Sequence, residues 1–424
     1  MTQLTSLAKR LLQRAQELEA HTTLHDGLEA SSSSSTLSDQ AAIQSRRELL
    51  ELAEEIQVKV RDATDYLEHH QIQYQSFACL RWLLRFNIFT NLPPNKPIPY
   101  TTLATLSSVP KPRLISVIRM ALTTGLFHED SQGLVSHNSL SLSFAQNSSY
   151  RDWASFIVNY SQLSAAAMAE ATARWGESEA CNHSAQNVAF DTDLPYFESI
   201  SGRKDAVDEF ARFMKALQQS TGLHIRQLVT GLDWISLFGE GAHVVDVGGS
   251  TGVISAALAE AYPSFTFLVQ DLPETVNLGP ETLSSKPESI RNRISFQSHD
   301  FFTPQPAQTK PPTVYLLRLI IHDWPREKAI QILSHLALAI ESNGARIVIM
   351  ETVLPPPGAG KSLVQEARLR VRDLTMIQNF NSKEREEEEW DELFASSEPR
   401  LRLVQRTQPV GSDLALMVLG LDEE

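Results

Sequence analysis

A short apolar run, His243 to Val247, leads straight into glycines at 248, 249 and 252, and then into an Ala/Leu-rich stretch, Ile254 to Ala261. Continuous apolar runs of this length mark strands buried on both faces, and the segment that follows has helical character. From there to the C-terminus extended and helical segments alternate. Strands are predicted at 243–247, 265–270, 294–296, 313–318, 346–350, 401–406 and 414–420. Such alternation predicts an α/β fold, a doubly wound and mainly parallel sheet with helices on both faces. In sheets of this kind ligands lie beyond the carboxyl ends of the strands.

Before residue 240 the period is helical. Leu4, Leu7, Leu11, Ala15 and Leu18 recur at three- and four-residue steps, predicting an amphipathic helix. A serine run at 31–35 reads as a flexible loop, and helical periodicity resumes over 41–66. An apolar helix over 77–89 is closed by Asn91-Leu92-Pro93-Pro94. Helices at 100–107 and 110–124 and a turned extended piece at 127–135 give a helix, turn, helix and wing. The second helix dilutes Lys111, Arg113 and Arg119 among Leu, Ile and Val, so dimerisation is expected of this module rather than DNA reading. Further helical pieces fall at 153–175 and 205–220, with an ordered connector at 187–197. The expected division is a helical, winged domain over 1–150, with 1–40 as a flexible extension. The sheet domain follows over 151–424, its first part, 151–240, being connector and substrate-facing helices.

Composition narrows the classes. With 51 acidic and 37 basic residues among 424 the formal charge is −14, which disfavours a nucleic-acid surface. Cys79 and Cys181 are the only cysteines, too few for a disulfide framework and outside any metal-ligand spacing. No secretory segment is evident at Met1 to Leu12, and no stretch reaches the ~20 apolar residues of a membrane span. A cytoplasmic location is expected.

The strand ends collect the chemistry. The Gly248–Gly252 loop ends the first strand, and Asp-x-Gly-x-Ser-x-Gly (Asp246 to Gly252) is close to the loop that binds S-adenosylmethionine (SAM). Asp271 ends the second strand, where an acid suits ribose hydroxyls. Asp300 and Phe301 follow the third, an acid and a ring where an adenine could be held. His322-Asp323-Trp324 follows the fourth, and Glu351 closes the fifth. Imidazole titrates near neutrality, so His322 is the candidate general base; a carboxylate on its other nitrogen would orient it and stabilise the imidazolium. Glu351 and Glu384 are both candidates for that role. The acidic run 386–389 reads as the solvated face of a helix.

These residues, in this order, resemble the SAM-dependent O-methyltransferases of plant phenylpropanoid type, and most closely their fungal relatives acting on polyketides. The motifs are the Gly248–Gly252 loop, Asp271-Leu272-Pro273, Asp300-Phe301, Arg318 with His322-Asp323-Trp324, Glu351 and Lys383-Glu384-Arg385; Gln186 to Phe190 with Asp193-Leu194-Pro195 is like the fungal branch. The resemblance runs from about Phe77 to the C-terminus. It implies a seven-stranded Rossmann-like sheet with an antiparallel last strand, and a winged N-terminal domain that forms a homodimer. It implies that Asp246, Gly248, Gly249, Ser250 and Gly252 hold the methionine portion of SAM, and that Asp271, with Leu272 beside it, holds the ribose. Asp300, Phe301, Arg318 and Trp324 would surround the adenine, and Met376 and Phe380 would line the acceptor pocket. Two positions depart from the plant pattern: Ser250 replaces a glycine, and Arg326 stands where an acid is usual, facing solvent.

The reaction implied is transfer of the SAM methyl to a phenolic hydroxyl of a small aromatic acceptor, His322 taking the proton, with no metal required. Two rivals remain: a dehydration or pericyclic rearrangement on the same scaffold, and a non-catalytic winged-helix regulator.

Overall fold

Successive residues of a strand face opposite sides of its sheet, and the apolar runs supply both sides at once. In the computed structural model, which describes residues 3–25, 37–201, 203–218, 220–356, 359 and 362–422, Val244, Leu316, Val348 and Leu416 join one buried cluster with Trp234 and Leu258. Their neighbours Val245, Leu317, Ile347 and Met417 join a second cluster with Leu336, Trp390 and Phe394. Continuous hydrophobicity therefore reports a sheet covered on both faces.

The chain divides into two compact units, Met1–Phe77 with Pro356–Val371, and Ala78–Pro355 with Arg372–Glu424. In the first, helices Gln3–His25 and Leu37–Val60 pack together, burying Leu7 and Leu52, with an ion pair from Arg14 to Glu48. The extension expected over 1–40 is thus helical in Gln3–His25; the serine run lies outside the described residues. The helix expected over 41–66 is two. It breaks at Asp62, whose carboxylate accepts the backbone N–H of Asp65 and starts the helix Ala63–Arg85.

The second unit begins with the end of that helix, and the apolar segment 77–89 is interrupted at Asn87, which adopts φ 53°. Helices Tyr100–Leu106 and Lys111–Thr123 follow. Strands β1 (Ile98–Pro99), β2 (His128–Glu129) and β3 (Leu134–Ser136) then form a small antiparallel sheet in the order β1-β3-β2. The helix–turn–helix–wing order is present. The helical stretch at 153–175 contains a π-helical turn, Ile157–Ser161, and the connector is itself helical at Ala185–Phe190 and Tyr196–Ser201.

All seven expected strands form one sheet: β4 (His243–Val247), β5 (Thr266–Asp271), β6 (Ile294–Ser298), β7 (Val314–Arg318), β8 (Arg346–Glu351), β11 (Leu401–Thr407) and β12 (Ala415–Leu421). Between them β9 (Val353–Leu354) and β10 (Arg385–Glu386) pair separately. The sheet order is β11-β12-β8-β7-β4-β5-β6, parallel from β8 to β6, with β12 antiparallel to β8 and to β11. The order reverses between β4 and β7, which places the ends of β4, β5, β7 and β8 at the position where such folds bind ligands. No helix among the described residues is long and apolar enough to cross a membrane.

Candidate active site

The turn after β4 depends on its glycines. Gly248 and Gly252 adopt φ 69° and 79°, and a Cβ on Gly248 would meet Ile320 Cδ1 at 2.5 Å. A Cβ on Gly249 would meet the Asp246 carboxyl carbon at 2.5 Å. Ser250 also adopts positive φ, 52°, the conformation for which a glycine is the unstrained residue. That strain is held by a hydrogen bond, because the Ser250 N–H donates to Asp271 Oδ2 at 2.8 Å. Asp271 Oδ1 accepts the Leu272 N–H at 2.8 Å. Asp246 lies beneath the turn, accepting Ser255 Oγ at 2.7 Å; burial raises its carboxyl to about 6.

Phe301 approaches the glycine turn and meets the Trp324 ring at 5.8 Å, while Phe302 meets Trp324 at 4.7 Å. Asp300 accepts the Phe302 N–H and so shapes its own turn. Arg318, at the end of β7, is buried and donates from Nη2 to the Leu223 carbonyl at 2.7 Å, while its Nε has no partner. Burial lowers its guanidinium to about 10, against the attraction of Glu351.

Beyond Arg318 the chain turns through Leu319 at φ 56°. This turn aims the N–H groups of Ile320 and Ile321 at Glu351 Oε1, 2.7 and 2.8 Å away. His322 follows, 7% exposed, with Nδ1 donating to Glu384 Oε1 at 2.9 Å and lying 3.5 Å from Glu351 Oε2. Its Nε2 stands 3.5 Å from Asp323 Oδ1. One ligand-type atom each from His322, Glu351 and Glu384 lies within 4.8 Å of the others, and Oε2 of both glutamates has no hydrogen-bond partner.

Electrostatics follow from that crowding. Burial alone would favour neutral imidazole, but Glu351, Glu384 and Asp323 outweigh it and raise His322 to about 10. Burial raises Asp323 to about 7 against the pull of His322, and raises Glu351 as well.

Three supporting residues were given no role in the sequence reading. Arg385 donates to the carbonyls of Ile321 and Trp324, at 3.3 and 2.8 Å, and so fixes the segment carrying His322. Asp373 accepts the Glu384 N–H at 3.1 Å, and Ser255 anchors Asp246. Arg385 stood in the quoted Lys-Glu-Arg motif, whereas Asp373 carries no sequence signal. Of the expected residues, the ends of β4 and β5 bring together the glycine turn, Asp271 and Leu272, and the ends of β7 and β8 bring together Arg318, His322, Trp324 and Glu351, which Glu384 joins from the residue before β10. Met376 and Phe380 lie in a separate apolar cluster with Tyr196, which reaches Trp324 through Phe197. Arg326 is exposed and donates to Ser396 Oγ.

Residues 183–398 match the family model of the O-methyltransferase domain. The chain is 42% identical to O-methyltransferase pgmB of Aspergillus terreus over 89% of this chain and 85% of that one. The chain belongs to the SAM-dependent O-methyltransferases. Solved structures agree on the fold. The complex of OxaC with sinefungin and meleagrin matches with a TM-score of 0.76 at 18% identity, over 97% of this chain and 99% of that one. A structure described as a pericyclic reaction enzyme matches with a TM-score of 0.73 at 22% identity, over 96% and 100%. The O-methyltransferase family uses SAM as its methyl donor.

Proposed function

We propose that the acceptor is a phenolic hydroxyl on a small aromatic or polyketide metabolite, and that His322 is the general base. The observation that carries this reading is the Nδ1–Glu384 hydrogen bond, which leaves Nε2 as the proton acceptor at the strand edge that also bears the glycine turn. A phenol of pKa ~10 meets a base of like strength, so proton transfer between them is close to balanced. Glu351, Glu384 and Asp323 stabilise the imidazolium that forms, and Arg385 keeps its segment in place.

The residues present fit SAM. The Asp246–Gly252 turn would take its methionine portion, and the Arg318 Nε without a partner offers a donor nearby. Asp271, beside Leu272, would take the ribose, Asp300, Phe301, Arg318 and Trp324 the adenine, and Met376 and Phe380 the acceptor. Bound SAM supplies an electrophilic methyl on a cationic sulfur. His322 gives up its proton more readily beside a positive charge, which offsets the three carboxylates. No metal takes part in this reading, so EDTA is expected to leave turnover unchanged.

We further propose that 1–150 is a winged-helix dimerisation domain and 151–424 the catalytic domain of a cytoplasmic homodimer. Tyr66, Leu67, Ile72 and Tyr74 on the helix Ala63–Arg85 are exposed apolar residues available to a second copy. Light scattering at micromolar concentration tests that assembly.

A second reading has one observation in its favour. An imidazole near pKa 10 is cationic at neutral pH, as acid catalysis of a dehydration or rearrangement would want. One experiment separates them: products from SAM and a panel of phenols are weighed by mass spectrometry while S-adenosylhomocysteine (SAH) is measured. Methyl transfer yields SAH one for one with product and is abolished by His322→Ala, with SAM binding intact. Product formed without SAH, or a His322→Ala variant as fast as the parent, removes the proposal.

A further inference from the structure

The helix Arg326–Asn343 opens two residues after Trp324 and packs Ile332, Leu333 and Leu336 into the second buried cluster of the sheet. Three of its other side chains share one target. Lys328, Gln331 and His335 are three and four positions apart, the spacing that lines side chains along one helix face. Gln331 Nε2 donates to the Phe302 carbonyl at 2.9 Å, and His335 Nε2 donates to the same oxygen at 3.0 Å. The Lys328 ammonium stands 4.9 Å from the centre of the Phe302 ring, within cation–π reach.

That oxygen closes the loop that follows β6. At the start of the loop the His299 N–H donates to the Asp271 carbonyl at 3.0 Å, and within it Asp300 Oδ1 accepts the Phe302 N–H at 3.0 Å. Asp300 and Phe301 are therefore held between two anchors, one on the sheet and one on the helix. Phe301 Cε1 lies 3.7 Å from the point that a Cβ on Gly248 would occupy, so a shift of this loop is felt at the glycine turn.

Two side-chain donors on one carbonyl are more than burial requires. A single hydrogen bond satisfies the oxygen, and a second from the same anchored helix adds position rather than satisfaction. The imidazole is committed to this contact. A carbonyl only accepts, so His335 Nε2 carries the proton, and Nδ1 has no hydrogen-bond partner among the described residues.

We propose that Gln331 and His335 are positioning residues for the cofactor: by pinning the loop that carries Asp300 and Phe301, they set the affinity for the adenosine half of SAM without touching it. The inference rests on the reading that places the adenine at Asp300 and Phe301. Released from the helix, the loop spends part of its time with both residues displaced. The apparent dissociation constant then rises by the inverse of the fraction that remains in place.

The test is calorimetric binding of SAH and of 5′-methylthioadenosine, which carries the adenosine half without the amino acid, to the full-length chain and its variants. Gln331→Met together with His335→Phe removes both donors and keeps the side-chain bulk; both ligands bind about ten-fold more weakly, by the same factor. His335→Phe alone costs about three-fold, and His335→Gln, whose amide nitrogen stands in for Nε2, restores affinity to within about two-fold of the parent. The single variants carry the test if the double variant does not fold. A pair that serves folding alone lowers Tm and leaves both affinities at the parent values, which overturns the proposal. Weaker SAH binding with unchanged 5′-methylthioadenosine binding also overturns it, since the loss then lies at the methionine end. Phe301→Ala examines the underlying reading separately. SAH binding as tight as the parent's refutes the adenine assignment, whereas weaker binding there, with Gln331 and His335 variants that bind like the parent, refutes the positioning role alone.

Discussion

His322 Nδ1 and Glu384 Oε1 lie 2.9 Å apart, both buried, and this one hydrogen bond sets which imidazole nitrogen is left to act. It also makes the base strong, because the neighbouring carboxylates raise His322 to about 10 from its usual value near 6.5. The neutral, proton-accepting form exists above that pKa. kcat/KM for the acceptor is therefore expected to climb through neutral into alkaline pH rather than level off near pH 7. Glu384→Gln removes a negative neighbour and moves the rising limb down by ~1–3 pH units. It also frees the ring to rotate, lowering the plateau by ~10²-fold or more. A pH–rate profile of parent and variant checks both, and a limb that does not move would separate Glu384 from the titration.

Glu351 has a different task. Its Oε1 gathers the N–H groups of Ile320 and Ile321, so it holds the turn through Leu319 from which His322 projects. Glu351→Ala leaves two buried donors without an acceptor, each costing ~1–3 kcal/mol. The urea midpoint should fall accordingly and activity should be lost. Glu351→Gln, which keeps a carbonyl acceptor, should recover most of the stability but not the activity. Equal loss of stability in both variants would contradict this role.

The centre of the sheet was legible because β4, β5, β7, β8 and β12 are buried on both faces, so five apolar runs announced themselves, while the edge strands β6 and β11 are partly exposed and mixed in polarity. Asp271 could be placed from sequence because it terminates a strand. The choice between Glu351 and Glu384 could not be made, since it turns on a hydrogen bond between residues 62 positions apart. What the strand ends could not convey is depth. Asp246 reads as a strand residue leading into the cofactor turn, and it lies buried under that turn, held by Ser255 from the following helix. The Gln186 segment was visible only as a likeness to fungal sequences, and the hydrogen bond from its amide to Ser199 joins residues 13 positions apart.

Glycine 249 tests the turn directly. A Cβ there would stand 2.5 Å from the Asp246 carboxyl carbon, so Gly249→Ala must push the turn away from its support. Calorimetry with SAH should show affinity reduced by ten-fold or more, about 1.4 kcal/mol. Ser250→Gly should act in the opposite sense, relieving φ 52° at a position where a side chain is strained. Unchanged affinity in Gly249→Ala would mean that the turn does not hold the cofactor.

The stability of the catalytic cluster should depend on pH in a definite direction. His322 has a folded pKa of about 10 against ~6.5 unfolded, so its contribution is complete below 6.5 and disappears only as pH rises through 10. Asp323 runs the other way in effect: raised from 3.8 to about 7, it disfavours the folded state increasingly as pH climbs over that interval, and His322 offsets this. Removing the imidazole leaves buried carboxylates facing one another without a cation, so they hold their protons to still higher pH. His322→Ala should therefore lower Tm most at pH 5, where the contribution of the imidazolium is complete, and less at pH 9, where it is being lost. Breaking a buried charge pair costs ~3–5 kcal/mol. Scanning calorimetry at the two pH values decides the matter; a Tm difference that is constant or grows toward pH 9 would show that His322 is not the counter-charge of this cluster.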